Sequence, residues 1–302
     1  MINSSAKSPR TQSSTSISTH GLEVGGRETP KPVSVSVVLP AHNEEQNVRH
    51  AVDSARMVLS QIATDWEIIV VDDGSTDGTS AVCEELIVQC DKVRIIRHTS
   101  NKGYGAALKS GILAARHELI FFTDADGQFD LRELERLVEW SDEYDIVMGY
   151  RGKRRDPWHR VVNAFGWNVL IRLVFGVRVR DIDCAFKLFR RAVFDQIQIR
   201  SAGAMINAEI LAQATRFGMR MREIKVTHYP RSYGKASGAN IAVIMKAFRE
   251  LLRVSRQLRS MPDGQVGERE GRRQNRSTRS TELSHQFRSV ELSEPNATLL
   301  DS

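Results

Sequence analysis

The segment Phe121-Phe122-Thr123-Asp124-Ala125-Asp126-Gly127-Gln128 places two carboxylates two residues apart, directly after a short apolar run. Hard divalent cations such as Mg²⁺ and Mn²⁺ take oxygen ligands and bridge to substrate phosphates. An Asp-X-Asp on a rigid strand end gives such a cation one or two anchors and leaves positions open for a diphosphate. Asp and Gly are also ordinary turn residues, and a bare Asp-X-Asp is common by chance. This one gains weight from its place after a fourth strand-like run.

Three other polar stretches follow apolar runs. The first is Pro40-Ala41-His42-Asn43-Glu44-Glu45, and the second is Asp72-Asp73-Gly74-Ser75-Thr76-Asp77-Gly78-Thr79. Carboxylates on such loops can accept hydrogen bonds from ribose hydroxyls or a base N–H. The same residue types also begin helices: Ser75, Thr76 and Asp77 suit an N-cap, and Gly74 and Gly78 suit turns. Capping accounts for Ser75 and Asp77. It uses only one of Asp72 and Asp73, which leaves that pair a candidate for ligand binding. The third stretch is Asn101-Lys102-Gly103-Tyr104-Gly105-Ala106-Ala107, with Lys109 and Gly111 beyond. Glycine lets a ligand or a helix approach the backbone closely, so Gly105 and Lys109 are candidate ligand contacts. The stretch lacks both the Lys-Ser/Thr phosphate loop and the dinucleotide fingerprint.

These loops need elements to hold them. The pattern predicts strands over Val33–Leu39 (ended by Pro40), Glu67–Val71, Val93–Arg97 and Leu119–Thr123. Helical spacing runs over Glu45–Gln61, Thr79–Gln89 and Tyr104–Ala115. Such alternation predicts an α/β fold, a mostly parallel sheet with helices on both faces. Ligands of these sheets bind beyond the carboxyl ends of the strands, where all four polar stretches fall.

The 302 residues are 41% hydrophobic and 26% charged, which excludes global disorder and allows a sizeable core. A net charge of +6 suits an anionic partner: nucleotide, phospholipid, phosphorylated substrate or nucleic acid. Cys83, Cys90 and Cys184 form neither a disulfide framework nor a zinc spacing, as expected for a reducing compartment. No run is long and apolar enough to span a bilayer, and Met1 to His20 has no apolar signal region. Residues 1–32 are rich in Ser, Thr, Gly and Pro, and residues 259–302 are polar and Arg-rich. Both read as disordered ends around a folded domain over 33–258.

Taken in order, SVVLPAHNEEQNV, IIVVDDGSTDGT, NKGYGAALKSGILAA and FFTDADGQFD resemble family-2 glycosyltransferases of the GT-A fold. Downstream, GYRGKRRDPWHR, RVRDIDCAFKLFRR and HYPRSYGKASGAN are similar to the branch that holds dolichyl-phosphate mannosyltransferase and bacterial polyprenyl-phosphate sugar transferases. The resemblance covers about Ser34 to Asn240. It implies an inverting, metal-dependent enzyme, using Mg²⁺ or Mn²⁺. A hexose would pass from a nucleotide-sugar donor of the GDP-mannose or UDP-glucose type to a polyprenyl phosphate.

The resemblance places the donor nucleotide at Pro40, Ala41, Asn43, Glu44, Asp72 and Asp73, with His42 replacing the usual aromatic. It gives the metal and the donor diphosphate to Asp124, Ala125, Asp126 and Gln128, with Asp124 towards the nucleotide or sugar and Asp126 on the metal. Gly105 and Lys109 join the donor set. Arg151, of Gly149-X-Arg151, and Arg160, of Trp158-X-Arg160, match arginines that hold the acceptor phosphate, a role that suits bidentate guanidinium forks. The late motif departs from the branch: Arg231 and Gly234 match, but Ser237 stands where Lys is usual, and Lys235 supplies the charge from a neighbouring position.

A hydroxyl acceptor needs a general base. Hydroxyl-glycosylating members carry a Glu-Asp pair near a helix start, and Asn207 falls about where the base Asp would be. Asn cannot accept a proton at neutral pH, whereas a lipid phosphate is already anionic. The competing reading, a transferase acting on a hydroxyl of a glycan, protein or small molecule, needs Asp181, Asp183 or Glu209 as base. A processive synthase lacks its Gln-X-X-Arg-Trp motif here. A nucleotide-binding scaffold is opposed by the intact Asp124, Asp126 and Arg151. No nucleic-acid module is present, so no nucleic-acid partner is expected, and no pattern sets an oligomeric state. Val161–Val174 and the basic, amphipathic Ala239–Leu258, with Lys246, Arg249, Arg253 and Arg256, suit either core packing or an anionic membrane surface. With the acceptor, they imply a cytoplasmic protein peripheral to the membrane face.

Overall fold

The computed structural model describes residues 32–152, 166, 169–231 and 249–256. The expected lead (but for Pro32) and the expected tail lie outside these residues, as do Arg160, Lys235 and Lys246.

Alternating strands and helices form as the hydrophobic pattern predicts: β1 (Ser34–Ala41), α1 (Val48–Ile62), β2 (Asp65–Asp72), α2 (Thr79–Gln89), β3 (Val93–Arg97), α3 (Tyr104–Ala114) and β4 (Leu119–Thr123). Then come a 3₁₀ turn (Leu131–Glu133), α4 (Leu134–Val138), β5 (Ile146–Arg151), β6 (Phe186–Arg190), a second 3₁₀ turn (Arg191–Val193), α5 (Ile206–Arg216) and β7 (Met221–Val226). Residues 169–175 and 249–256 are also helical. The seven strands form one sheet in the order β3-β2-β1-β4-β6-β5-β7. All neighbours pair in parallel except β6, which runs antiparallel to both β4 and β5.

Period-two alternation sorts the strand side chains onto two faces. Val35, Val37, Leu39, Ile68, Val70 and Phe121 meet α1, α2 and α4. Val38, Ile69, Val71, Ile120 and Phe122 meet α3, α5 and the 249–256 helix through Leu251 and Val254. Gly111 lets α3 lie close on the sheet, since a Cβ there would stand 2.2 Å from Val38 Cγ1.

β1 continues through Pro40 to Ala41, two residues beyond the expected stop. Pairing of β1 with β4 ends at Val38, while pairing with β2 runs to Ala41 opposite Asp72. A residue without an N–H is tolerated where one side of a strand is unpaired. In turn, α1 starts at Val48 rather than Glu45, because residues 44–47 form a turn committed to neighbouring loops.

Candidate active site

One edge of the sheet collects the chemistry. The parallel strands β1, β2, β3, β4, β5 and β7 end there, and antiparallel β6 starts there, with Thr123 opposite Phe186.

The first two loops brace each other. Asn43 takes a left-handed backbone, φ 57°, a conformation Asn tolerates better than most residues. Its N–H donates to Ser75 Oγ at 3.0 Å, and its Oδ1 accepts from Thr76 N at 2.8 Å. Glu44 N donates to Thr79 Oγ1 at 2.9 Å, and Gly78 N donates to Glu45 Oε2 at 3.1 Å. Asp77 Oδ1 accepts from Thr79 N at 3.0 Å, the local bond expected of a helix-start aspartate.

Asp72 and Asp73 are both buried and fully engaged. Asp72 accepts from Ser75 N at 2.9 Å and from the Ser80 hydroxyl. These hydrogen bonds outweigh the cost of burial and hold its carboxyl below the usual range. Asp73 braces the third loop: Oδ1 accepts from Lys102 N at 2.9 Å and pairs with His98 Nδ1 at 2.6 Å, while Oδ2 accepts from Gly103 N at 2.8 Å. His98 Nε2 lies 2.9 Å from Ser110 Oγ. Sequence reasoning weighed capping against ligand binding for this pair and missed loop-to-loop bracing. His98 and Ser110 carried no local motif to mark them.

Gly105 is buried against the 201–203 segment, where an added Cβ would meet Gly203 O at 2.6 Å. Ala106 N donates to Ala202 O at 3.1 Å in the same contact. Lys109 is half-exposed in the second turn of α3. Pro40, Ala41 and Ala125 are buried, so a ligand would meet their backbone rather than their side chains.

Asp124 and Asp126 follow β4. Asp124 is partly exposed, but its Oδ1 is buried without a hydrogen-bond partner among the described residues. Burial, reinforced by the neighbouring Asp126 charge, pushes the Asp124 carboxyl up to about 7. The Tyr104 hydroxyl, also buried and without a well-formed hydrogen bond among the described residues, lies beside Asp124, and burial with the Asp124 charge holds it well above its usual range. Asp126 Oδ1 accepts from Gln128 N at 3.1 Å, and Asp126 Oδ2 stands 3.7 Å from Arg231 Nη1. Burial raises its carboxyl too, with Arg231 opposing the shift. Gln128 Nε2 donates to Tyr229 O at 3.0 Å, and Tyr229 N donates back to Gln128 O at 2.7 Å. This return segment carries Arg231 over the site, where it also pairs with Glu44 Oε1.

An unpartnered carboxylate oxygen beside a second carboxylate fits a hard cation. Among the described residues, no three His, Cys, Asp or Glu side chains cluster as a complete metal site. The pair therefore suits an ion that completes its shell with water and substrate phosphates.

Arg151, at the end of β5, is locked by Asp181: Nε to Oδ2 at 2.7 Å, Nη2 to Oδ1 at 2.9 Å. That pairing outweighs burial and raises the guanidinium further. Of the possible bases, Glu209 is fully buried and accepts from Arg200 N at 3.1 Å and Ser201 N at 2.7 Å. Asn207 is buried and accepts from Lys187 Nζ at 3.2 Å.

The profile of glycosyl transferase family 2 matches residues 36–198, from β1 through β6 and all four strand-end loops. The chain belongs to glycosyl transferase family 2. Among curated members, polyprenol monophosphomannose synthase of Mycolicibacterium smegmatis is 32% identical over 74% of this chain and 90% of that protein. Undecaprenyl-phosphate 4-deoxy-4-formamido-L-arabinose transferase of Proteus mirabilis is 31% identical over 70% of this chain. Dolichyl-phosphate beta-glucosyltransferase of Saccharomyces cerevisiae is 26% identical over 72% of each chain. The match spans 64% of the P. mirabilis enzyme and 34% of glycosyltransferase AglD of Haloferax volcanii. Among solved structures, glucosyl-3-phosphoglycerate synthase from Mycobacterium tuberculosis, in complex with Mn²⁺, UDP and glucosyl-3-phosphoglycerate, superposes with a TM-score of 0.57. It is 20% identical and covers 78% of this chain and 83% of that one. The family-2 chain thus has the GT-A fold, as its motifs imply.

Proposed function

We propose that this family-2 enzyme transfers a hexose from a nucleotide-sugar to a polyprenyl phosphate, with inversion at the anomeric carbon. The observation that carries the acceptor choice is the fate of the candidate bases. Of Asp181, Asp183 and Glu209, the first is committed to Arg151 and the last is sealed under residues 200–201, while Asn207, held by Lys187, is an amide and no base. A phosphate acceptor needs no base. The polyprenyl- and dolichyl-phosphate enzymes among its relatives support the same choice.

In this reading the braced loops at Asn43–Glu44 and Asp72–Asp73 seat the nucleotide, mainly through backbone. Asp124 and Asp126, with Gln128 beside them, hold the cation and face the donor diphosphate. Mg²⁺ or Mn²⁺ bound there supplies charge stabilisation for the leaving nucleoside diphosphate. Arg231, carried over the loop by the Gln128–Tyr229 pairing, adds a fixed positive charge to the same end. Arg151 presents the Nη1 edge, which its fork to Asp181 does not use, to the acceptor phosphate; Arg160, outside the described residues, is assigned to the same phosphate on its motif alone. An acceptor phosphate oxygen attacks the anomeric carbon in line as the bond to the donor diphosphate breaks. No proton needs to move.

The acceptor's lipid tail calls for a membrane surface. Among the described residues, no helix is long and apolar enough to cross a membrane. The 249–256 helix buries Leu251 and Val254 and exposes Arg249, Leu252, Arg253 and Arg256. Residues 169–175 bury Ile171 and expose Leu173 and Val174. These basic and apolar exposures suit peripheral contact with anionic lipid.

The competing hydroxyl-acceptor reading rests on Asp183 alone. The test is nucleoside diphosphate release from candidate donors with Mn²⁺, with and without a polyprenyl phosphate. Lipid-stimulated release supports the proposal, and release indifferent to the lipid contradicts it.

A further inference from the structure

Lys187 is the one described lysine with its side chain sealed in the core, only 1% exposed. It lies in β6 opposite Phe122 of β4 and Met148 of β5, on an otherwise apolar sheet face, with its ammonium 5.5 Å from the Phe122 ring centroid. A buried ammonium is costly unless its donors are all used. Here three donors meet three oxygens: Ile182 O at 3.0 Å, Cys184 O, and Asn207 Oδ1 at 3.2 Å. Among the described residues no carboxylate reaches ion-pair distance of it.

The partners say what this ammonium holds. Ile182 and Cys184 belong to the turn that begins at Asp181, the residue that forks Arg151. Asn207 opens α5, whose Glu209 holds the backbone of Arg200 and Ser201. The 201–203 segment then packs on the start of α3, with Ala106 N donating to Ala202 O at 3.1 Å. One side chain thus ties the turn whose Asp181 holds Arg151, the start of α5 and the face of β4, the strand that Asp124 follows. An aliphatic residue of the same length would pack as well on Phe122 and Met148 but would gather none of these oxygens.

We propose that Lys187 is a positioning residue for transfer: by clamping the 182–184 turn to α5 it sets Asp181, and through it Arg151, at the distance from Asp124 that acceptor and donor require. The proposal rests on the reading of Arg151 as a phosphate ligand. Asn207 is then a partner of this clamp, which gives its amide a positioning role of its own.

The test compares Lys187→Met and Asn207→Leu with the wild-type chain. Each protein is normalised to the fraction that binds UDP or GDP with Mn²⁺, measured by calorimetry. Lys187→Met is expected to keep nucleotide affinity within about threefold and to raise the KM for polyprenyl phosphate about tenfold or more. Asn207→Leu, which keeps the charge and removes one of three acceptors, is expected to raise that KM by about three- to tenfold. A merely structural role would lower the active fraction and leave the normalised KM where it was. An unchanged KM in the folded variants overturns the proposal. If Lys187→Met does not fold, Asn207→Leu decides alone by the same criterion. A wild-type chain that ignores polyprenyl phosphate would instead refute the acceptor reading on which the proposal stands.

Discussion

Arg231 and Asp126, 105 residues apart in the chain, face each other across the donor edge with Nη1 and Oδ2 3.7 Å apart. The same guanidinium pairs with Glu44 on the first loop. One arginine therefore joins the start, middle and end of the described domain. Both carboxylates are largely buried, so screening by solvent is weaker than at an exposed pair. Replacing Arg231 with Ala is expected to raise the KM for the nucleotide-sugar by about tenfold or more. Steady-state kinetics with varied donor and saturating acceptor check this.

Asp126→Asn is expected to reduce turnover by at least about a hundredfold while the variant melts as a folded protein. The amide keeps the shape but loses the anionic oxygen that a hard cation requires. Metal-dependent turnover in the variant near the wild-type level would remove Asp126 from the metal assignment.

Asp124 gives a pH signature in the ligand-free protein. Its folded value of about 7 lies above the ordinary value of 3.8 expected in the unfolded chain. The folded state therefore binds the extra proton between those values, and stability falls as pH rises from about 4 to about 7. Asp124→Asn removes that loss. The variant is expected to gain melting temperature over wild type at pH 8 and to gain much less at pH 5. Thermal melts at both values check it, and an equal difference at the two would show that Asp124 is not held protonated.

Asp72 and Glu67 act in the opposite sense. Hydrogen bonds hold both carboxyls below their ordinary range: Ser75 and Ser80 for Asp72; Ser36, Arg116 and Arg94 for Glu67. Their stabilisation is complete above the unfolded value near 4 and is lost as pH falls through the lower folded values. Asp72→Asn is therefore expected to lower the melting temperature at pH 7 and to differ less from wild type near pH 3. Denaturation followed by circular dichroism across that range measures it.

The first half of the fold was legible because its strands and helices carry strong, local periodicity. The bounds of α2, β3 and β4 follow directly from Thr79–Gln89, Val93–Arg97 and Leu119–Thr123. Pro40 misled, since whether a proline ends a strand depends on which of its sides is paired, a tertiary fact. The antiparallel β6 was not legible, because FKLFR carries no mark of direction. The same holds at the site. Motif spacing pointed to the four loops and the family resemblance to Arg151, but neither gave the partners that decide what each side chain is free to do. Asp181 binds Arg151 across 30 residues, Asp73 binds His98 across 25, and Lys187 reaches Asn207 across 20. Those pairings arise only when the sheet brings its strand ends together.

The central claim, that the acceptor is an anionic lipid phosphate needing no general base, is tested most directly by offering one chain both forms of one lipid. Sugar transfer from a labelled nucleotide-sugar, with Mn²⁺, is measured to a polyprenyl phosphate and to the matching polyprenol in the same anionic vesicles. The account predicts transfer to the phosphate and none to the alcohol. Equal transfer to the alcohol would contradict it and would require a base that Asp181 and Glu209, as they are held here, do not provide, leaving that role to Asp183.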